Sequence, residues 1–487
     1  MHSIFRIRGL AVAALTVAAA AGAAAQATAP AGKVPITTSS DEARALYLKG
    51  RDLAEKLRAT DGRRLYAEAV AKDPDFALAH VGMANTAGTN KEFVDATLRA
   101  VALADKVSPG ERLVIRGLEA GMKGEPGAVV ANYKELVKLF PNDERALTLL
   151  GNTYFGRQEY DSAIAQFTRA TAIDPSFSQP YNQLGYAYRF IEKYDDAERA
   201  FKKYIELIPG DPNPYDSYAE LLMKMGRFDE SIAMYEKALA IDRNFVASYV
   251  GIGNDHLAAG RSDDARKAFA RLDSAARNTG ERRQARFWMA ASYVHDGATD
   301  KAIDEMKASY KLAEQEGDAG SMSGDLTQMG DILREAGRFD DAVARYREAQ
   351  AVVDKAELPA EVKDATRRNT IFEEARVAAV RKDVAAARTK TAEYEKAIAA
   401  RQRPFEVRQL HELRGLVALA DGRPRDAAAE LAQANQQDPR VLYLSALAWR
   451  GAGDQAKASA FAAKAAKFNG LAFNYAFVRR PAAKVGS

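Results

Sequence analysis

The sequence has no cysteine. That excludes disulfides, thiolate nucleophiles and cysteine-ligated metals. Histidine is almost as scarce. His80, His256, His295 and His411 are the only ones after residue 25, and no two have ligand spacing. His411-Glu412 lacks the second histidine of a zinc-protease helix. There is no Gly-x-Ser-x-Gly elbow and no phosphate loop. No catalytic residue, cofactor site or metal site is therefore expected, and the chain reads as non-catalytic. Charge of one sign is missing too: 70 basic residues face 66 acidic ones. So small an imbalance gives no reason to expect nucleic acid or an anionic membrane surface as partner. Runs of Val, Ile and Thr that would suit strands are few, and no transmembrane candidate follows residue 25.

Residues 1–25 differ from the rest. Arg6 and Arg8 precede a short apolar run from Leu10 to Ala21, and Ala23-Ala24-Ala25 offers a small-x-small cleavage site before Gln26. This is the pattern of a secretory signal peptide. No cysteine follows that could carry a lipid. Removal of this segment lowers the formal charge from +4 to +2. A periplasmic location is expected, with full secretion as the alternative. Residues 26–40, with Pro30, Pro35 and several Ser and Thr, read as a flexible leader.

From Asn142 to Arg277 the chain repeats every 34 residues. Gly151, Gly185, Ala219 and Gly253 share a column, followed by Tyr154, Tyr188, Leu222 and His256. Asp161, Asp195, Asp229 and Asp263 align, then Ala163, Ala197, Ser231 and Ala265, then Phe167, Phe201, Tyr235 and Phe269. Pro141, Pro175 and Pro209 close successive units. A period of this length means a stack of supersecondary units. Small residues allow two helices to approach, and the aromatic column fills the space between them. Asp161 and its equivalents are placed to N-cap the second helix. Gly124, Gly226, Gly260, Gly297, Gly337, Gly422 and Gly453 stand between the two helices of their units, where a left-handed residue ends a helix.

The order small, aromatic, Ala, aromatic, Ala, Pro resembles the tetratricopeptide repeat (TPR). The resemblance implies an all-α fold, a TPR-type α-solenoid forming a right-handed superhelix of about twelve helix-pair repeats, several of them degenerate. It also implies protein or peptide binding in a concave groove. First-helix positions that face such a groove fall on Asn152, on Gln179, Asn182, Tyr186 and Arg189, on Asp216 and Glu220, and on Asn254. Amide side chains there can donate and accept to an extended peptide. Thr148, Asn213 and Ser217 stand where a clamp for a terminal carboxylate needs basic residues. That mode is not expected.

The expected organisation runs from degenerate units at 41–143 through regular units at 144–279 and looser units at 280–401 to further units at 402–472. Residues 473–487 form a cap or tail, in which Phe473, Tyr475 and Phe477 alternate with small or polar residues. Ser108-Pro109-Gly110-Glu111 starts a helix with a good cap. Gln315 to Gly324, with three glycines, is a candidate bend. The functional expectation is an exported adaptor or scaffold for a protein or peptide partner. A structural subunit of a cell-envelope complex, docking through its convex face or aromatic tail, is the alternative, and an enzyme of unrecognised type ranks third.

Overall fold

Each 34-residue period folds as a pair of helices. The computed structural model describes residues 32–485 apart from 57, 89 and 402. The expected signal peptide and residues 26–31 lie outside the described residues. The contacts gather the chain into two compact units, one running to Glu119 without Glu55–Arg58, the other taking those four residues and Ala120 onward. The first unit contains α1 (Asp41–Glu55, its last residue excepted), α2 (Ala59–Lys72), α3 (Ala77–Asn85), α4 (Asn90–Ala102) and, after a short 3-10 turn, most of α5 (Pro109–Lys123).

The second unit continues with α6 (Pro126–Leu139) and the regular pairs: α7 (Glu144–Gly156) with α8 (Tyr160–Ile173), and α9 (Ser178–Phe190) with α10 (Tyr194–Leu207). Next come α11 (Asn213–Lys224) with α12 (Phe228–Ile241), and α13 (Val246–Ala258) with α14 (Ser262–Ala275). Longer pairs follow: α15 (Thr279–His295) with α16 (Thr299–Gln315), α17 (Ala319–Glu335) with α18 (Phe339–Lys355), and α19 (Ala360–Val380) with α20 (Val384–Ile398). The last are α21 (Pro404–Ala420) with α22 (Pro424–Leu431), α23 (Pro439–Gly451) with α24 (Gln455–Ala466), and a lone α25 (Phe473–Val485). Twelve pairs precede α25, and no strand occurs among the described residues. No described helix is long and apolar enough to cross a membrane.

The aromatic column packs directly on the glycine column. A Cβ on Gly151 would come within 2.5 Å of the Phe167 ring, one on Gly185 within 2.5 Å of Phe201, and one on Gly253 within 2.1 Å of Phe269. All three rings are fully buried. The later pairs repeat the device with Gly330 under Tyr346 and Gly415 under Leu431. Where Ala219 replaces the glycine, the Tyr235 ring lies against Gly251 instead, and Ser231 Oγ donates to the Ala219 carbonyl at 2.8 Å. Glycine is used because ring and backbone meet without room for a methyl group.

The seven inter-helix glycines all have positive φ, between 71° and 83°. Gln158, Glu192 and Lys382 occupy the same slot in units without glycine, at φ 61° to 64°. Each is followed by an amide that bonds back five residues, such as Glu159 N–H to the Tyr154 carbonyl at 2.9 Å. That ladder ends the first helix and satisfies its last carbonyls, so a residue with a side chain is held in the left-handed region.

Two expectations need correction. Asp161 does not cap α8. The cap position is Glu159, whose side chain makes no capping bond, and Asp161 lies inside the first turn. The same holds for Asp195, Asp229 and Asp263. They act on the positive end of the helix dipole, not as caps. The stretch from Gln315 to Gly324 is not a bend either. Gly317 makes the ordinary left-handed turn, while Gly320 and Gly324 lie within α17.

Within the first unit, the described part of the expected flexible leader is fastened. Thr37 donates to Glu111 through its amide at 2.7 Å and its hydroxyl at 2.6 Å, and Thr38 Oγ1 donates to Asp73. Ile36 packs on the core, and Ser40 Oγ accepts from the Ala43 amide at 3.1 Å at the start of α1. Glu111 also accepts from the Ser108 amide, while Ser108 Oγ accepts from the Glu111 amide. This capping box supplies the buried carboxylate that the leader needs.

The ring-on-glycine contact is testable by a double-mutant cycle. Phe167→Ala should cost about 3–5 kcal/mol. Gly151→Ala in the native background should cost about 1–3 kcal/mol through overpacking. In the Phe167→Ala background the same change should stabilise by up to about 1 kcal/mol, because only the helix propensity of alanine remains. Urea titration of the four proteins reads the cycle, and additive effects would refute the contact.

Candidate functional site

The first helices of the regular pairs place the expected groove residues side by side. Tyr186 on α9 donates to Ser217 Oγ on α11 at 3.3 Å. Arg189, one turn further, pairs with Glu220 Oε2 at 3.0 Å, and its guanidinium lies over the rings of Tyr186 and Phe190, 5.1 Å from each centroid. Asp216 on α11 accepts from Ser248 Oγ on α13 at 2.7 Å. The structure thus brings Tyr186, Arg189, Asp216 and Glu220 into one polar seam.

The amides behave differently. Asn254 is buried and donates to the Val250 carbonyl of its own helix at 2.9 Å. Asn182 is buried, and its Oδ1 accepts no hydrogen bond among the described residues. Asn152 and Gln179 are half-buried on α7 and α9. Asn182 is thus the amide with buried hydrogen-bonding capacity in reserve.

Sequence periodicity did not mark Lys224. It lies on α11, one turn beyond Glu220. Its ammonium donates to the Phe468 carbonyl at 2.9 Å and sits 4.6 Å from the centre of the Phe468 ring. No carboxylate pairs with it among the described residues. Burial, with Arg189 nearby, lowers its pKa to about 8. Lys464 on α24 reaches Glu192 at 3.3 Å. Between these walls lies a cleft of about 1060 Å³, lined by Arg189, Phe190, Glu220 and Lys224 on one side and by Lys464, Lys467 and Phe468 on the other.

Helix α25 continues the cover. It packs on α23 and α24, and it also touches α15. Phe473 is buried with its ring centre 4.7 Å from that of Phe287. Arg479 donates to the carbonyls of Leu257 and Ala258 at the end of α13 and to His295 Nε2, the last at 3.0 Å. That bond needs a lone pair on Nε2, so His295 is neutral. Burial, with Arg480 and Arg479 nearby, holds its pKa below the usual value.

Residues 151–189 match a family model described as TPR repeat, and residues 192–250 and 222–289 match a tetratricopeptide repeat model. This stretch is an array of TPR repeats. No curated protein matches the chain. Among solved structures, that of MamA is 27% identical, covering 33% of this chain and 93% of that one, with a TM-score of 0.30. A tetratricopeptide repeat protein from Parabacteroides merdae ATCC 43184 is 14% identical, with coverage of 54% and 99% and a TM-score of 0.39. PilW, a type IV pilus biogenesis factor, is 21% identical, with coverage of 44% and 95% and a TM-score of 0.34.

The C-terminal segment meets the first helices at Lys224 on α11, at Leu257 and Ala258 on α13 and at His295 on α15, and a cleft lies beside Lys224.

Two buried acids mark the inner side of the TPR array. Asp255 on α13 is fully buried, and neither carboxylate oxygen accepts a hydrogen bond among the described residues. Burial raises its pKa to about 8, against the partial pull of the nearby Ser231 hydroxyl and Arg261. Burial and Glu220 raise Asp216 to about 8 as well. Both therefore hold a proton in the folded state through a window in which the unfolded chain has lost it. Their contribution to stability is complete below about pH 4 and is lost as pH rises to about 8. Asp255→Asn should consequently stabilise the protein more at pH 8 than at pH 5. Urea midpoints of the variant and wild type at both values measure this, and a gain that shrinks with rising pH would contradict the assignment.

Proposed function

We propose that this protein is an exported, non-catalytic adaptor or scaffold, and that it holds an acidic segment of a partner protein in the cleft between α9, α11 and the α24–α25 connection. The observation that carries the reading is Lys224: a largely buried ammonium, facing a cleft of peptide size, with only a carbonyl and an aromatic face as partners. Lys467 on the opposite wall likewise has no carboxylate partner among the described residues, whereas Glu192 and Glu220 are each paired to a base of the cleft. An incoming carboxylate would restore the charge that burial withholds from Lys224. Phe190 and Phe468 supply apolar faces beside it. Asn182, with Asn152 and Gln179 further along the first helices, extends the polar surface on which a partner segment would lie.

The alternative, docking of an envelope complex through the aromatic tail, is less well supported. Phe473 and Tyr475 are buried, so the tail would have to leave its place.

Fluorescence anisotropy with labelled nonapeptide pools tests the proposal. One pool alternates Asp or Glu with apolar residues, and the other has Lys in place of the acids. The acidic pool should bind and the basic pool should not. Lys224→Gln should weaken binding about tenfold or more, the scale of a charged hydrogen bond. Affinity should fall with added salt and from about pH 7 to about pH 9 as Lys224 loses its proton. Equal affinity for the two pools, or indifference to Lys224→Gln, would remove the site from this cleft.

A further inference from the structure

The inner face of α17, α19, α21 and α23 is charged and buried, and most of its charges are matched. Arg334, 2% exposed, pairs with Asp331 at 2.7 Å and with Glu373. Arg376 donates to Glu373 at 3.0 Å, Arg368 to Glu406 at 2.7 Å, and Arg440 to Glu335. Two residues of α21 are matched less fully.

Glu412 is 7% exposed, and its Oε1 accepts no hydrogen bond among the described residues. The nearest cationic atom is Arg376 Nε, 3.4 Å away, on a guanidinium already bonded to Glu373. Arg408 donates to the Arg157 carbonyl at 3.1 Å, and no carboxylate lies within ion-pair distance of it among the described residues. Four residues apart, Arg408 and Glu412 share a helix face, the spacing at which opposite charges ordinarily pair. They do not pair. Both line one cavity of about 150 Å³, together with Gln409, Asp438, Arg376 and Arg440.

A buried carboxylate without a hydrogen-bond donor is costly, and the cost falls if a cation binds. An uncompensated guanidinium on the same wall calls for an anion. We propose that this cavity binds a small zwitterion of the α-amino-acid class, with its ammonium on Glu412 and its carboxylate on Arg408. A cavity of about 150 Å³ is on the scale of a small free amino acid rather than of a peptide segment. Burial raises the Glu412 carboxyl above its usual value, against the pull of Arg376 and Arg440.

Isothermal titration calorimetry of the full chain with individual L-amino acids, and with methylammonium and acetate as single-charge controls, tests the site. One amino acid or more should bind with one site per chain, and the controls should bind at least about tenfold more weakly. Glu412→Gln and Arg408→Gln should each lower affinity about tenfold or more. Absence of binding across the amino acids, equal binding of methylammonium alone, or affinity unchanged in both variants would overturn the proposal. None of these residues belongs to the cleft at Lys224, so the two proposals fail independently.

Discussion

A ring lying on a glycine holds the helix pairs together. Phe167 on Gly151, Phe201 on Gly185, Phe269 on Gly253 and Tyr346 on Gly330 are the same contact made again and again. Each brings a ring so near the backbone that a Cβ on the glycine would collide with it. The contact serves two purposes at once. It removes a whole ring from water, and it sets the separation of the two helices, so each pair presents the next with a surface of defined shape. Stacked arrays of this kind gain stability from each unit and each interface in turn, so a device made in four of the pairs acts along much of the array. Where the glycine is lost at Ala219, the ring of Tyr235 turns to Gly251 and a serine hydroxyl bonds the exposed carbonyl. The exception keeps the spacing by other means.

Because this contact is local, it was legible in the sequence. Helix pairs, their glycine turns and their aromatic columns all depend on residues within about one repeat of each other, and periodicity exposes them. Asp161 shows the limit of such reading. An aspartate in the first turn and one at the cap lie two positions apart and share a physical preference for the helix N-terminus. Only the backbone distinguishes them. Thr37 and Thr38 show another limit. Their composition suits an unstructured leader, but their anchors, Glu111 and Asp73, lie 74 and 35 residues away.

The candidate site was legible only in part, for the same reason. The register put Tyr186, Arg189, Asp216 and Glu220 on neighbouring first helices, and the structure joins them by hydrogen bonds and an ion pair. The register could not give their state of commitment. Arg189 is spent on Glu220, and Asn254 on its own helix. Nor could it find Lys224, whose character comes from Phe468, 244 residues later. No repeat motif encodes that meeting. It arises because α25 and the connection before it return to the regular pairs, where Arg479 bonds the last carbonyls of α13.

That return determines what the inner surface can recognise. A polar groove open to water has many weak donors and acceptors, each already hydrated, and gains little from any one of them. Here most polar groups are satisfied within the protein, by seams such as Arg189–Glu220 and Asp216–Ser248 or by the buried ion pairs around Arg334. Among the described groups that remain uncommitted or poorly hydrated are Lys224, the Oδ1 of Asn182, the Asp255 carboxylate and the Arg408–Glu412 face of α21. Such groups gain most from a matching ligand, because a partner replaces no comparable bond to water. Selectivity then follows from internal matching rather than from an abundance of contacts. It also follows that Lys224 has its properties only while the C-terminal segment stays in place, since the same carbonyl and ring that bury the ammonium form the opposite wall of the cleft.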